Sequence, residues 1–297
     1  MTRQRGATLT DTLVVVGIVA SLLALALPAI QRVRGAADRT ACQSQLRQMG
    51  QALHLFHGDH GRFGLSGSLL PGSRFRNLSW LATLLPYVDE KALFLQAEQA
   101  AQHASNVQDL LNFPTMQAVV RLYVCPTDSR LRSAQTDAWG TTAALISYLG
   151  SSGGMTSDLR GYRGAVPGVK LEEILDGAST TIAVGERPPP DSWQAGWWYP
   201  NIHMHHVGNR GPHIIMVVGV TGAIVGSGAS DCRATFRATG PGRTSNPCDR
   251  FHFWSLHGGG SNFLFVDGSV RFLAYSADPI LPALISINGG ENVTLPD

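Results

Sequence analysis

Residues 11–57 read DTLVVVGIVASLLALALPAIQRVRGAADRTACQSQLRQMGQALHLFH, and this stretch decides the fold. From Thr12 to Ile30 there are 19 residues without a charge, rich in Leu, Val and Ala and bounded by Asp11 and Arg32. A helix rises ~1.5 Å per residue, so this run matches a hydrocarbon layer of ~30 Å. Farther on, Cys42, Leu46, Met49, Leu53 and Phe56 recur at 4-3-4-3 spacing, one apolar stripe on a helix. One helix is therefore expected from Asp11 to about His57, apolar all round in its first half and amphipathic in its second. Pro28, lacking an N–H, is expected to kink it. Arg3 and Arg5 precede the apolar run while Arg32, Arg34 and Arg39 follow it, so flanking charge does not orient it.

Composition excludes one broad class of partner. Lys and Arg total 23 against 21 acidic residues among 297, a net charge of +2 that gives no broad positive surface to bind phosphate backbones, and no nucleic acid is expected. The four cysteines, Cys42, Cys125, Cys232 and Cys248, lack C-x-x-C or zinc-ribbon spacing, and an even scattered set suits disulfides in an exported chain. Cys42 lies on the helical stripe and Cys125 precedes Pro126, which favours a Cys42–Cys125 bridge from stalk to head and leaves Cys232–Cys248 to close an irregular loop. Four cysteines allow three pairings, and sequence leaves the other two open.

After His57 the chain turns to Gly, Ser, Arg and Pro through Arg76, a loop leaving the stalk. Residues 79–88 and 89–104 read as a short apolar segment and a helix, with Leu93, Leu95 and Ala97 partly buried. Strands are expected at Val119–Val124, Leu145–Leu149, Thr180–Gly185 and Ile214–Val220. The sharpest local expectation is a hairpin over 262–273, in which Asn262–Val266 and Ser269–Leu273 flank an Asp267-Gly268 turn of type I′. The fold class is α+β: a long N-terminal transmembrane and stalk helix on a mainly antiparallel, disulfide-containing head. The domains are then a leader at 1–6, the helix at 7–57 and an extracytoplasmic head at 58–297.

Arg3, Arg5, Gly6, Ala7 and Asp11 together resemble the start of type IV prepilins and pseudopilins: a short basic leader, Gly, and a hydrophobic helix with an acidic residue five places after the cut. Ala7 stands where the class usually has Phe, and Asp11 where it has Glu. The resemblance implies a pilin-like fold and a membrane peptidase that cuts between Gly6 and Ala7 and methylates the new amine. It also implies assembly with other pilin-like subunits, or with copies of itself, through the N-terminal helix. A carboxylate in lipid is costly unless paired, and a neighbouring subunit's terminal amine would pair Asp11. The plainer role is helix capping, beside Thr10. A signal peptide ending at Ala24-Leu25-Ala26 and an uncleaved anchor are the competing readings of this segment.

Downstream, "HGGGSNFLFVDGSVRFL" places His257, nine residues, then Asp267-Gly268, and is similar to the C-terminal signature of the bacterial prepilin-type H-X9-DG proteins. "YVCPTD" around Cys125 and "LEEILDGASTTIAVGE" from Leu171 to Glu186 agree in order. That family is of unproven biochemical function, with some members labelled solute-binding. It implies export and topology: a single pass of the inner membrane, with the head in the periplasm or outside.

Ten extended residues span up to ~33 Å, so His257 and Asp267 are not expected to meet. Asp267 shapes the turn and His257 bonds a neighbouring loop. A ligand or metal site would instead join His257 to Glu186 from another strand end. His203, His205, His206 and His213 are further candidate ligands, in no H-E-x-x-H spacing. Trp193, Trp197, Trp198 and Tyr199 either pack in the core or stack on a sugar ring. There is no phosphate loop ending in Lys-Ser or Lys-Thr, and neither catalysis nor a cofactor is expected. The expected function is that of a structural pilin-like subunit; an anchored carbohydrate- or ligand-binding module is the alternative.

Overall fold

A computed structural model of the chain describes residues 9–63, 78–104, 109, 113–151, 168–193, 195–199, 215–216, 237–291 and 293. The chain divides into two compact units, one ending at Ala41 and the other starting at Cys42. Helix α1, Leu9–His60, passes through that boundary. In the first unit every described side chain from Thr12 to Ala37 is exposed. This segment is long and apolar enough to cross a membrane, a property that membrane anchors share with signal sequences.

In the second unit α1 behaves as its stripe requires. Cys42, Leu46, Met49, Leu53 and Phe56 are all buried, while Leu55 on the opposite face is exposed. The helix ends three residues later than the spacing indicates, where the N–H of Gly61 reaches back to His57 O (2.7 Å). Helices α2 (Trp80–Leu84) and α3 (Lys91–His103) follow, and α4 (Leu281–Ile285) lies near the C-terminus. Ser79 caps α2, its Oγ accepting from Ala82 N (3.0 Å). On α3 the buried face is Phe94, Ala97, Ala100 and Ala101. Leu95, expected to be partly buried, falls one step round the helix from Phe94 and is 51% exposed.

Strands β1 (Gln135–Thr136) and β2 (Thr142–Ala143) pair with each other. The main sheet holds β3 (Tyr148–Ser151), β4 (Ile182–Glu186), β5 (Ile215–Met216), β6 (Gly260–Phe265) and β7 (Val270–Ala274), in the order β5-β3-β4-β6-β7. β3, β4, β6 and β7 are antiparallel neighbours; β5 joins β3 in parallel. The head is thus α+β with a mainly antiparallel sheet. The segment Val119–Val124, expected as a strand, instead forms a 3-10 turn at Arg121–Tyr123. Its chain closes on itself, Tyr123 N donating to Val120 O (2.9 Å), and the Tyr123 hydroxyl is buried and donates to Leu81 O (2.8 Å). Of Ile214–Val220, residues 215 and 216 are strand and the rest lies outside the described residues.

The C-terminal hairpin forms with Gly260 opposite Ala274 and Leu264 opposite Val270. Its turn is not type I′. Phe265 N donates to Ser269 O (2.8 Å) and Gly268 N to Phe265 O (3.0 Å), enclosing three residues, Val266 to Gly268. Positive φ occurs at Gly268 (85°) but not at Asp267, the pattern of a three-residue loop with a glycine bulge. The reason lies in Val266, whose N–H is taken by Thr181 O (2.9 Å) and whose carbonyl accepts from His54 Nε2 (2.8 Å), so it cannot join the ladder.

The buried stripe of α1 sets a graded stability test. Leu46→Ala is expected to cost about 2–5 kcal/mol by loss of burial and creation of a cavity, and Leu55→Ala to stay within about 0.5 kcal/mol. Denaturant unfolding followed by tryptophan fluorescence measures both.

Candidate functional site

Two sequence-distant acid and base groups meet beside a disulfide. Cys42 and Cys125 are bonded, joining α1 to the segment after the Arg121–Tyr123 turn, with Cα atoms 5.3 Å apart. His257 Nε2 lies 3.6 Å from Cys125 Sγ and 3.5 Å from Glu186 Oε1. Both side chains are withdrawn from solvent, at 5% exposure for His257 and 2% for Glu186. Each arrives by a local device. Glu186 is the last residue of β4, a strand buried along its whole length. His257 rides on a turn organised by Ser255, whose Oγ accepts from His257 N (3.0 Å) and donates to Gly260 O (2.7 Å).

A buried carboxylate needs hydrogen bonds to offset lost water. Asn262 on β6 supplies two, from its backbone N–H (2.7 Å) and from its side-chain Nδ2 (3.0 Å). Its Oδ1 in turn accepts from Gln43 Nε2 on α1 (2.9 Å). Next to these, the Tyr148 hydroxyl donates to Gln45 Oε1 (2.7 Å), and Gln45 Nε2 donates to Arg121 O (3.0 Å). Burial, reinforced by the charge of Glu186, pushes the Tyr148 hydroxyl well above its ordinary pKa, so it serves as a donor. Arg187 is fully buried, and burial followed by the like charge of Arg250 pulls its pKa down to about 9.

The other signature residues act elsewhere. Asp267 is exposed and its Oδ1 accepts from Ser269 N (2.8 Å), while its own N–H donates to Ala178 O (3.0 Å). Gly268 lies against α1: a Cβ on Gly50 would come within 3.5 Å of its Cα and 2.8 Å of Leu264 Cδ1. His257 and Asp267 sit beyond opposite ends of β6 and, among the described residues, share no partner. Glu186 and His257 are therefore brought together; His257 and Asp267 are not.

Gln43, Gln45, Tyr148, Ser255 and Asn262 complete the network and carry no motif that singles them out. Gly6, Ala7, His203, His205 and Cys232 lie outside the described residues, as does the side chain of Asp11, whose backbone is in α1. Cys248 is disulfide-bonded. Trp197, Trp198 and Tyr199 are buried core, their polar atoms donating to Trp193 O (2.9 Å), Ala118 O (2.8 Å) and Ala97 O (3.2 Å). Trp193 is half-buried beneath the Arg130 guanidinium, 5.1 Å from its ring centre.

Chemically the site offers one carboxylate, one imidazole and two sulfurs, and the ligand atoms of Cys42, Cys125, Glu186 and His257 all lie within 4.8 Å of one another. Because His257 and Asp267 act through separate contacts, His257→Ala and Asp267→Ala are expected to be additive in unfolding free energy to within about 0.5 kcal/mol. A double-mutant cycle by urea denaturation measures this, and a larger coupling would put both residues in one network.

No curated protein and no solved structure matches the chain. A family model does, over residues 31–280, well over half of the length. The chain belongs to the family described as "Protein of unknown function (DUF1559)".

Proposed function

We propose that this protein is a pseudopilin-like structural subunit, anchored in the inner membrane by the first half of α1 and carrying its head in the periplasm or outside the cell. One observation carries the reading: a single helix that is apolar and wholly exposed through its first half and buried along one stripe in its second. Exposed Leu, Val and Ile side chains over such a length are unfavourable in water and favourable in lipid or against other apolar helices. The buried half fixes the helix to a head whose disulfide suits an oxidising compartment.

On this reading a prepilin peptidase removes residues 1–6 and methylates Ala7. Asp11, costly in hydrocarbon when unpaired, sets register by meeting the terminal amine of a neighbouring subunit. The helix then packs with other pilin-like helices in a secretion or surface filament. The residues of the head hold it together and perform no turnover.

The first measurement is the intact mass and N-terminal sequence of the chain from native membranes, together with photo-crosslinking from position 13. A chain starting at methylated Ala7 and crosslinking to itself, with crosslinks lost in Asp11→Ala, is the expected result. A chain starting at Met1 or after Ala26 that gives no self-crosslink would overturn the reading in favour of a binding module, anchored or released.

A further inference from the structure

The polar cluster beside the disulfide is more than one carboxylate and its donors require. Glu186 already accepts twice from Asn262, yet His257 is also drawn into the interior, its Nε2 facing both the Glu186 carboxylate and Cys125 Sγ. Four buried groups from four separate parts of the chain converge there: Cys42 on α1, Cys125, Glu186 at the end of β4, and His257. Two sulfurs, an imidazole nitrogen and a carboxylate oxygen are the donors that zinc and similar thiophilic divalent cations take in fourfold sites.

Two of the distances match the donor set, and the four ligand atoms, all within 4.8 Å of one another, need only a small contraction to complete it. Zinc bonds of roughly 2.0–2.3 Å in tetrahedral geometry put ligand atoms about 3.3–3.8 Å apart. His257 Nε2 is 3.5 Å from Glu186 Oε1 and 3.6 Å from Cys125 Sγ. With the sulfurs no longer bonded to each other, their ordinary contact distance falls in the same range. The surroundings agree as well. Metal ligands are held by further hydrogen bonds, and here Asn262 donates twice to Glu186 and is itself fixed by Gln43. Two thiolates and a carboxylate would bring three negative charges to a divalent ion, and the Asn262 N–H groups lie where the surplus would sit.

We propose that Cys42, Cys125, Glu186 and His257 form a second, redox-dependent fastening of helix to head: a disulfide when oxidised and a zinc-class metal site when reduced. The exchange balances. A dithiol gives two electrons and two protons and closes to its own disulfide; the Cys42–Cys125 bond opens to two thiols. The metal then displaces both thiol protons to solvent. Either state links α1 to the rest of the head, and neither depends on whether Ala7 is methylated or a filament forms.

The test uses the full chain in detergent, reduced with dithiothreitol, freed of it anaerobically and titrated with cobalt(II). The expected result is one equivalent bound with tetrahedral visible bands and a thiolate charge-transfer band, displaced by zinc and absent from the oxidised chain. His257→Ala and Glu186→Gln should each weaken binding at least about ten-fold. Zinc should also protect Cys42 and Cys125 from alkylation in the unsubstituted reduced chain, a readout that does not depend on how the variants fold. If reduction alone loosens the head, added zinc must restore its circular dichroism and thermal transition. Failure to bind, failure to protect or restore, or cobalt held without the charge-transfer band and indifferent to His257→Ala would each overturn the proposal.

Discussion

The head depends on burying one face of the helix from Cys42 to Phe56, which supplies one wall of its core. An amphipathic helix fixed only by burial has a continuous face and can slide or rotate by small steps. Three kinds of contact remove that freedom here. The disulfide sets position at one end, the hydrogen bonds from Gln43 to Asn262 and from Tyr148 to Gln45 set rotation, and His54 bound to Val266 O sets the other end. At Gly50 the absent side chain lets Leu264 approach, so helix and strand meet closely along this length.

Seen in this way, the separation of His257 from Asp267-Gly268 measures structure. β6 runs between them, and each of its ends engages α1: His257 beside the Cys42–Cys125 bridge, and the turn beside Gly50 and His54. The strand has six residues, so a fixed count between the two ends is what geometry demands, with no chemistry passing between them. The positive φ of Gly268 lets the chain reverse at the point where it touches the helix.

Periodicity and cysteine placement made much of this legible. The stripe named Cys42, Leu46, Met49, Leu53 and Phe56 on the buried face of α1 but not Ala52, and Cys42, lying on that stripe, pointed to the bridge with Cys125. The Asp-Gly pair marked the hairpin but misnamed its turn, because nothing in "FVDGS" reveals that Thr181 and His54 claim both backbone groups of Val266. Val119–Val124 shows the same limit: β propensity describes a residue that has a partner strand, and Tyr123 is held by its buried hydroxyl instead. The pairing of Glu186 with His257 rested only on both ending signature segments. Gln43, Gln45 and Asn262 gave no signal, since a polar residue beside an apolar stripe reads as solvent-facing until the opposing surface is known.

The disulfide spans 83 positions of sequence and so makes a covalent ring of everything from Cys42 to Cys125, including α2 and α3. A single backbone break anywhere inside that ring severs the main chain without parting the exposed apolar segment from the head. Retention of the head by its helix is thereby independent of peptide-bond continuity over more than a quarter of the chain, and rests instead on one sulfur–sulfur bond shielded from solvent.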